Sequence, residues 1–165
     1  MGKERILGID PGFGRVGYGI VEQTAGNDWQ AVCFGCIETS PKNSFVERIV
    51  EVRKEIEKII KEYKPTRGAV EELFFFKNQK TAVEVGQARG VILLTLVEAD
   101  LPIDEFTPLQ VKQAMTGYGR AEKGQMQKIV ATILKIKGGV RSDDAADALA
   151  IALTAGQSLW LSKLK

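Results

Sequence analysis

Residues 6–20 read Ile-Leu-Gly-Ile-Asp-Pro-Gly-Phe-Gly-Arg-Val-Gly-Tyr-Gly-Ile. Ile6 to Asp10 is a short apolar run closed by Pro11-Gly12, the pattern of a buried strand ending in a turn. Side chains alternate along a strand, so Ile6, Gly8 and Asp10 share one face, and Leu7 and Ile9 the other. The strand therefore ends on a carboxylate beside the core. Such a group is costly unless paired, hydrogen-bonded or bound to a metal. Asp-Pro-Gly is also ordinary turn chemistry, so this stretch alone leaves Asp10 open between turn residue and ligand. Val16 to Val21 resumes an apolar strand pattern, which makes a hairpin with a Gly-rich tip.

Outward from the hairpin, Trp29 to Thr39 forms a third strand after the turn cluster Ala25-Gly26-Asn27-Asp28, giving an antiparallel meander. Phe45, Ile49, Val52, Ile56, Ile59 and Tyr63 make one apolar stripe on a helix that ends at Lys64-Pro65. Gly68 to Glu71 is a short strand, again ending in a carboxylate. A helix over 79–99 is apolar on several faces, with Gly86 and Gly90 offering close approach, either within the chain or to a second copy. A strand over 102–107 follows. Thr107-Pro108 reads as an N-cap with proline at the first helical position, opening a helix that carries Lys112. A helix over 125–135 comes next. The last helix is expected over 144–155, capped by Ser142 or Asp143 and closed by Gly156. This succession of strands and helices predicts an α/β fold: three antiparallel strands with parallel additions, flanked by helices. The expected organisation is one domain over 1–157 and a mobile tail over 158–165.

Composition narrows the chemistry. The chain has 165 residues, 44% hydrophobic and 27% charged, as in a globular domain. A net charge of +2 requires any nucleic-acid contact to come from local basic residues. The longest apolar run, Val91 to Leu94, is far too short for a bilayer. No signal-peptide pattern is seen at the start, so the expected location is the cytoplasm, with no membrane partner. The sequence contains no histidine, which excludes His-based general bases, His-dependent nucleophile triads and His-ligated zinc. Oxygen ligands remain, and they favour Mg²⁺ or Mn²⁺. Cys33 and Cys36 lie on an apolar strand at odd spacing, on opposite faces. They are expected to act as small buried hydrophobes.

Asp10, Glu71, Asp144 and Asp147 have the positions to meet. If the first and fourth strands are parallel neighbours, Asp10 and Glu71 share the carboxyl end of the sheet, where open α/β sheets bind ligands. Asp144 and Asp147, three apart, share a face at the start of the last helix. Each has a plain alternative: a cap or first-turn residue for Asp144, an exposed charge for Asp147, a strand-end charge for Glu71. Together, four gathered acids would repel one another unless divalent cations were present. Two Mg²⁺ ions would satisfy them and support in-line displacement at a phosphodiester.

Several motifs carry a resemblance: Gly8-Ile9-Asp10-Pro11-Gly12 with Gly17-Tyr18-Gly19, Glu71-x-x-Phe74, Gly86-Gln87-Ala88-Arg89-Gly90, Val111-Lys112-Gln113, Ala121-Glu122-Lys123 and Asp144-Ala145-Ala146-Asp147-Ala148-Leu149-Ala150. Over about Ile6 to Ala155 the chain resembles the RuvC family of bacterial Holliday-junction resolvases, endonucleases of the ribonuclease-H-like fold. The resemblance implies that Asp10, Glu71, Asp144 and Asp147 are catalytic metal ligands for two Mg²⁺, with Mn²⁺ as a substitute. It implies that Lys112 and Lys123 stabilise charge on the phosphate and that Phe74 stacks on a base at the crossover. It further implies a homodimer acting on four-way junction DNA, symmetric paired nicks, and cooperation with the RuvA–RuvB branch-migration complex. Lys77, Arg89 and Arg120 are candidates for DNA backbone contacts, as are Arg15, Lys80 and Lys128. The Asp10 hairpin also occurs in sugar kinases and actin-like ATPases, but those need a second domain over the nucleotide.

Overall fold

In the computed structural model, which describes residues 3–73, 79–117 and 123–163, five strands form one sheet. The strands are β1 (Arg5–Asp10), β2 (Arg15–Gln23), β3 (Trp29–Glu38), β4 (Arg67–Glu71) and β5 (Ile103–Phe106), in the order β3-β2-β1-β4-β5. The first three pair antiparallel; β4 lies parallel to β1, and β5 parallel to β4. This is the mixed sheet expected from the sequence.

Helices cover both faces. On one side, α1 (Phe45–Tyr63) and α2 (Gln79–Glu98) bury Leu7, Ile9, Ile20 and Val70 beneath Val52, Ile56, Ile92 and Leu96. A capping box starts α1: the Ser44 side chain accepts from the Glu47 backbone N–H, and the Glu47 carboxylate accepts from the Ser44 backbone N–H. On the other side, α5 (Asp143–Ser162) lies across the sheet with α3 (Pro108–Thr116) and α4 (Lys123–Ile133) beside it. Thr107 caps α3 in a second capping box, with Pro108 at the first helical position.

Glycine decides how closely α5 approaches. A Cβ at position 8 would stand 2.1 Å from the Ala148 carbonyl oxygen, and one at position 17 would stand 2.0 Å from that of Asp144. Gly19 sits under the Leu149 side chain, with 2.7 Å to its Cγ. Alanines at 145, 146, 148, 150, 152 and 155 complete the contact, all of them buried. The helix thus rests its backbone directly on β1 and β2.

The same contact corrects the expected helix end. Gly156 does not close α5. It is buried in the helix, and a Cβ there would stand 2.6 Å from the Trp29 ring. Glycine in a helix interior costs about 1 kcal/mol relative to alanine; here it makes room for a large aromatic that is only 7% exposed. Residues 158–162, expected as a tail, continue the helix, and Leu159 packs against the core.

Replacing Gly8 with Ala forces α5 off the sheet, and overpacking of this kind costs about 1–3 kcal/mol. Gly124, in α4, has nothing near its Cβ position, so Gly124→Ala is expected to be neutral or stabilising. Urea denaturation should show a lowered midpoint for Gly8→Ala and none for Gly124→Ala.

Candidate active site

Three elements bring acidic residues to the carboxyl end of the parallel strands. Asp10 ends β1 on the face of Ile6 and Gly8, which is the α5 face. Its cross-strand partner is Gly17, and the Asp144 backbone lies against Gly17. The tight seat of α5 therefore fixes the start of that helix beside the end of β1. Glu71 ends β4 one residue beyond the Ile9–Val70 pair, on the same face as Ala69. Adjacent strands lie about 4.8 Å apart, so Asp10 and Glu71 are neighbours.

Burial pushes the Glu71 carboxyl up to about 7, the negative charge of Asp147 adds to the shift, and Lys112 partly offsets it. Glu71, Asp147 and Lys112 thus share one electrostatic neighbourhood. Lys112 comes from α3, which Val111 and Met115 anchor in the core. The end of β4 is held as well. Arg89 of α2 donates through Nε to the Glu71 carbonyl oxygen at 2.9 Å, and its Nη2 pairs with Glu105. Arg89, expected to reach DNA, is turned inward and is only 17% exposed.

Asp144 has a different set of partners. Arg15 Nε donates to its Oδ2 at 2.8 Å, and the Cys36 thiol lies 3.6 Å from the same oxygen. Asp143 accepts a hydrogen bond from Gln127 instead, and Ser142 is the N-cap, its hydroxyl oxygen accepting from the Ala145 backbone N–H. Asp144 is therefore not spent on capping.

The two cysteines lie on opposite faces as expected, Cys33 opposite Ile20 and Cys36 opposite Gly17. Both are half-buried and free. The expectation that both act as buried hydrophobes fails: Cys33 hydrogen-bonds Tyr18 and Tyr63, and Cys36 meets Asp144. The closeness of α5 to Gly17 puts its thiol against a carboxylate, and burial together with Asp144 raises its pKa.

Among the described residues, no three carboxyl or thiol groups close on one point tightly enough to hold a metal ion. Asp144 leans to Arg15, and the negative charge of Asp147 acts against that of Glu71. The donor set nevertheless suits a hard divalent cation. It consists of carboxylate oxygens, and burying Glu71 beside Asp147 costs free energy that a cation would offset. Phe74, Lys77 and Arg120 lie outside the described residues, as does the side chain of Lys123, whose backbone begins α4. The Arg15–Asp144 contact was not foreseen as part of the site, because its partners are 129 residues apart. The one available signal was a basic residue at the start of the strand that pairs with β1.

Comparison with known proteins identifies the family. The family model described as "Crossover junction endodeoxyribonuclease RuvC" matches residues 6–155. The chain is 50% identical over 151 residues to the crossover junction endodeoxyribonuclease RuvC of Petrotoga mobilis, covering 92% of each chain. It is also 50% identical to that of Pelotomaculum thermopropionicum over 161 residues, 97% of this chain and 98% of the other. Among solved structures, Thermus thermophilus RuvC in complex with a Holliday junction substrate superposes with a TM-score of 0.90 at 33% identity, covering 96% of both chains. The yeast mitochondrial Holliday junction resolvase shares the fold, with a TM-score of 0.71 at 14% identity, covering 98% of this chain and 80% of that one. With the family match spanning most of its length and half of its residues shared with such relatives, the chain belongs to the RuvC family of crossover junction endodeoxyribonucleases.

Proposed function

We propose that the family activity, endonucleolytic resolution of Holliday junctions, is carried in this chain by Asp10, Glu71, Asp144 and Asp147 as ligands for two Mg²⁺ ions, with Mn²⁺ as a substitute. The observation that carries this is the placement of Asp10, Glu71 and the first turn of α5 at one end of the sheet, on one face. When bound, such a pair of ions supplies an activated water and stabilises the leaving oxygen of an in-line displacement.

The chain's own residues supply the rest. Asp10 and Glu71 present carboxylates from adjacent rigid strands, so their spacing is set by the sheet. Asp144 and Asp147 enter from a helix that cannot shift without breaking the glycine contacts. Lys112, beside Glu71, is suited to stabilising charge on a phosphate, and Lys123 is proposed for the same role. Phe74 is the aromatic proposed to stack on a base at the crossover, with Lys77 and Arg120 contacting the backbone. Four-way junction DNA is the proposed substrate, consistent with the junction-bound relative. The RuvA–RuvB complex is the proposed partner and the cytoplasm the proposed location. Among the described residues, no helix is long and apolar enough to cross a membrane.

A homodimer through α2 is part of this reading. Val83, Leu94 and Val97 are 66%, 50% and 58% exposed, and Gly90 between them faces open space. These positions repeat at seven, four and three, which is one side of a helix. An apolar stripe of this kind suits a self-complementary, two-fold contact.

Three outcomes test the reading. With a synthetic four-way junction and Mg²⁺, Asp10→Asn should reduce nicking by more than the roughly 100-fold seen when an outer-shell partner of a metal is lost, while junction binding in a gel-shift assay is retained. Leu94→Glu should convert the protein to a monomer in sedimentation velocity and abolish paired nicking. The third outcome concerns pH. Folded Glu71 holds its proton up to about 7, against 4.5 ordinarily, so the folded state binds more protons than the unfolded one between those values. The corresponding stability of the metal-free protein is fully present below 4.5 and is lost as pH rises through about 7. Thermal melts of Glu71→Gln should lack that decline and, above the range, exceed the unaltered protein.

A further inference from the structure

The structure assigns Arg15 a positioning role: we infer that its guanidinium is the counter-cation that holds Asp144 in the metal-free enzyme and yields the carboxylate to a divalent ion. This rests on the reading of Asp144 as a metal ligand.

The geometry is specific. Arg15 opens β2 and is the cross-strand partner of Glu38 at the end of β3. One arm of the guanidinium, Nη1, pairs with Glu38, and another, Nε, donates to Asp144 Oδ2 at 2.8 Å. Arg15 is therefore anchored on the sheet and reaches up to α5. Cys36, also on β3, brings a second donor to the same oxygen at 3.6 Å. Both contacts come from the β2–β3 side, whereas Glu71 comes from β4, on the far side of β1. The pull on Asp144 is thus directed away from Glu71.

The strength of the hold decides its role. The Arg15 side chain is 54% exposed and that of Asp144 29%. An ion pair this open to water is weak, so it orients the carboxylate without locking it. A divalent ion brings twice the charge and direct coordination, and it displaces the guanidinium readily. After the exchange Arg15 still has Glu38, so it is not stranded. Before the exchange, its positive charge offsets the mutual repulsion of the acids and competes with the incoming ion.

The test uses Mn²⁺ alone, without DNA, with the unbound ion measured by electron paramagnetic resonance. Arg15→Gln and Arg15→Met should each bind Mn²⁺ about two- to fivefold more tightly than the unaltered protein, the range over which an exposed ion pair acts. A purely structural role for Arg15 predicts weaker binding, so unchanged or weaker affinity in both variants overturns the inference. Asp144→Asn separates this from the underlying reading. If Asp144→Asn binds Mn²⁺ as the unaltered protein does, Asp144 is not a ligand and the reading of the site fails. If it loses affinity while the Arg15 variants match the unaltered protein, only the role given to Arg15 fails.

Discussion

The backbone-to-backbone contact of α5 with β1 and β2 is the constraint on which this structure depends. Gly8 and Gly17 have no alternative residue that leaves the helix where it is, since a Cβ would stand 2.1 and 2.0 Å from carbonyl oxygens of α5, far inside van der Waals contact. Elsewhere the sheet binds its helices through a layer of large side chains, as α1 and α2 do over Leu7, Ile9 and Val70. The two faces are thus built on different principles. One is a conventional interdigitated core. The other is a direct seat, and the acidic end of α5 is located by it.

Mixed topology supplies the remaining placement. A parallel β1–β4 pair sends two strand ends the same way, so Asp10 and Glu71 emerge side by side although α1 and all of the meander lie between them. The antiparallel β1–β2 pair turns the chain back at once, which brings Gly17 beside Asp10 and Arg15 to the edge of the same site. Neither arrangement alone would assemble the group. Arg89 shows how the surroundings are recruited: its guanidinium ties the last carbonyl of β4 to Glu105 next door on β5, stiffening the strand end that carries Glu71.

Much of this was legible in the sequence, for identifiable reasons. Strand ends at Asp10 and Glu71 are marked by an apolar run stopping on a carboxylate, a local signal. The caps at Ser142 and Thr107 are local as well, and the structure has both. The extension of α5 past Gly156 was not legible, because a glycine that stops a helix and one that admits a tryptophan look alike until Trp29 is placed across the sheet. The intramolecular partners of Arg89 and Arg15 are not legible for a related reason. Long basic side chains on paper read as surface charge, while their partners Glu105 and Asp144 become neighbours only through tertiary packing. Cys36 was read as a hydrophobe because strand periodicity gives the face but not what covers it.

The direct seat of α5 also limits what the enzyme can do with its own shape. A helix resting on side chains can slide or tilt by repacking them, as domain-closing enzymes do. One resting on peptide groups has no such bearing surface, and any displacement opens a void along β1 and β2 at once. The first turn of α5 is consequently a fixed datum within the site. The neighbouring α3 is attached differently, by the side chains of Val111 and Met115 rather than by glycine.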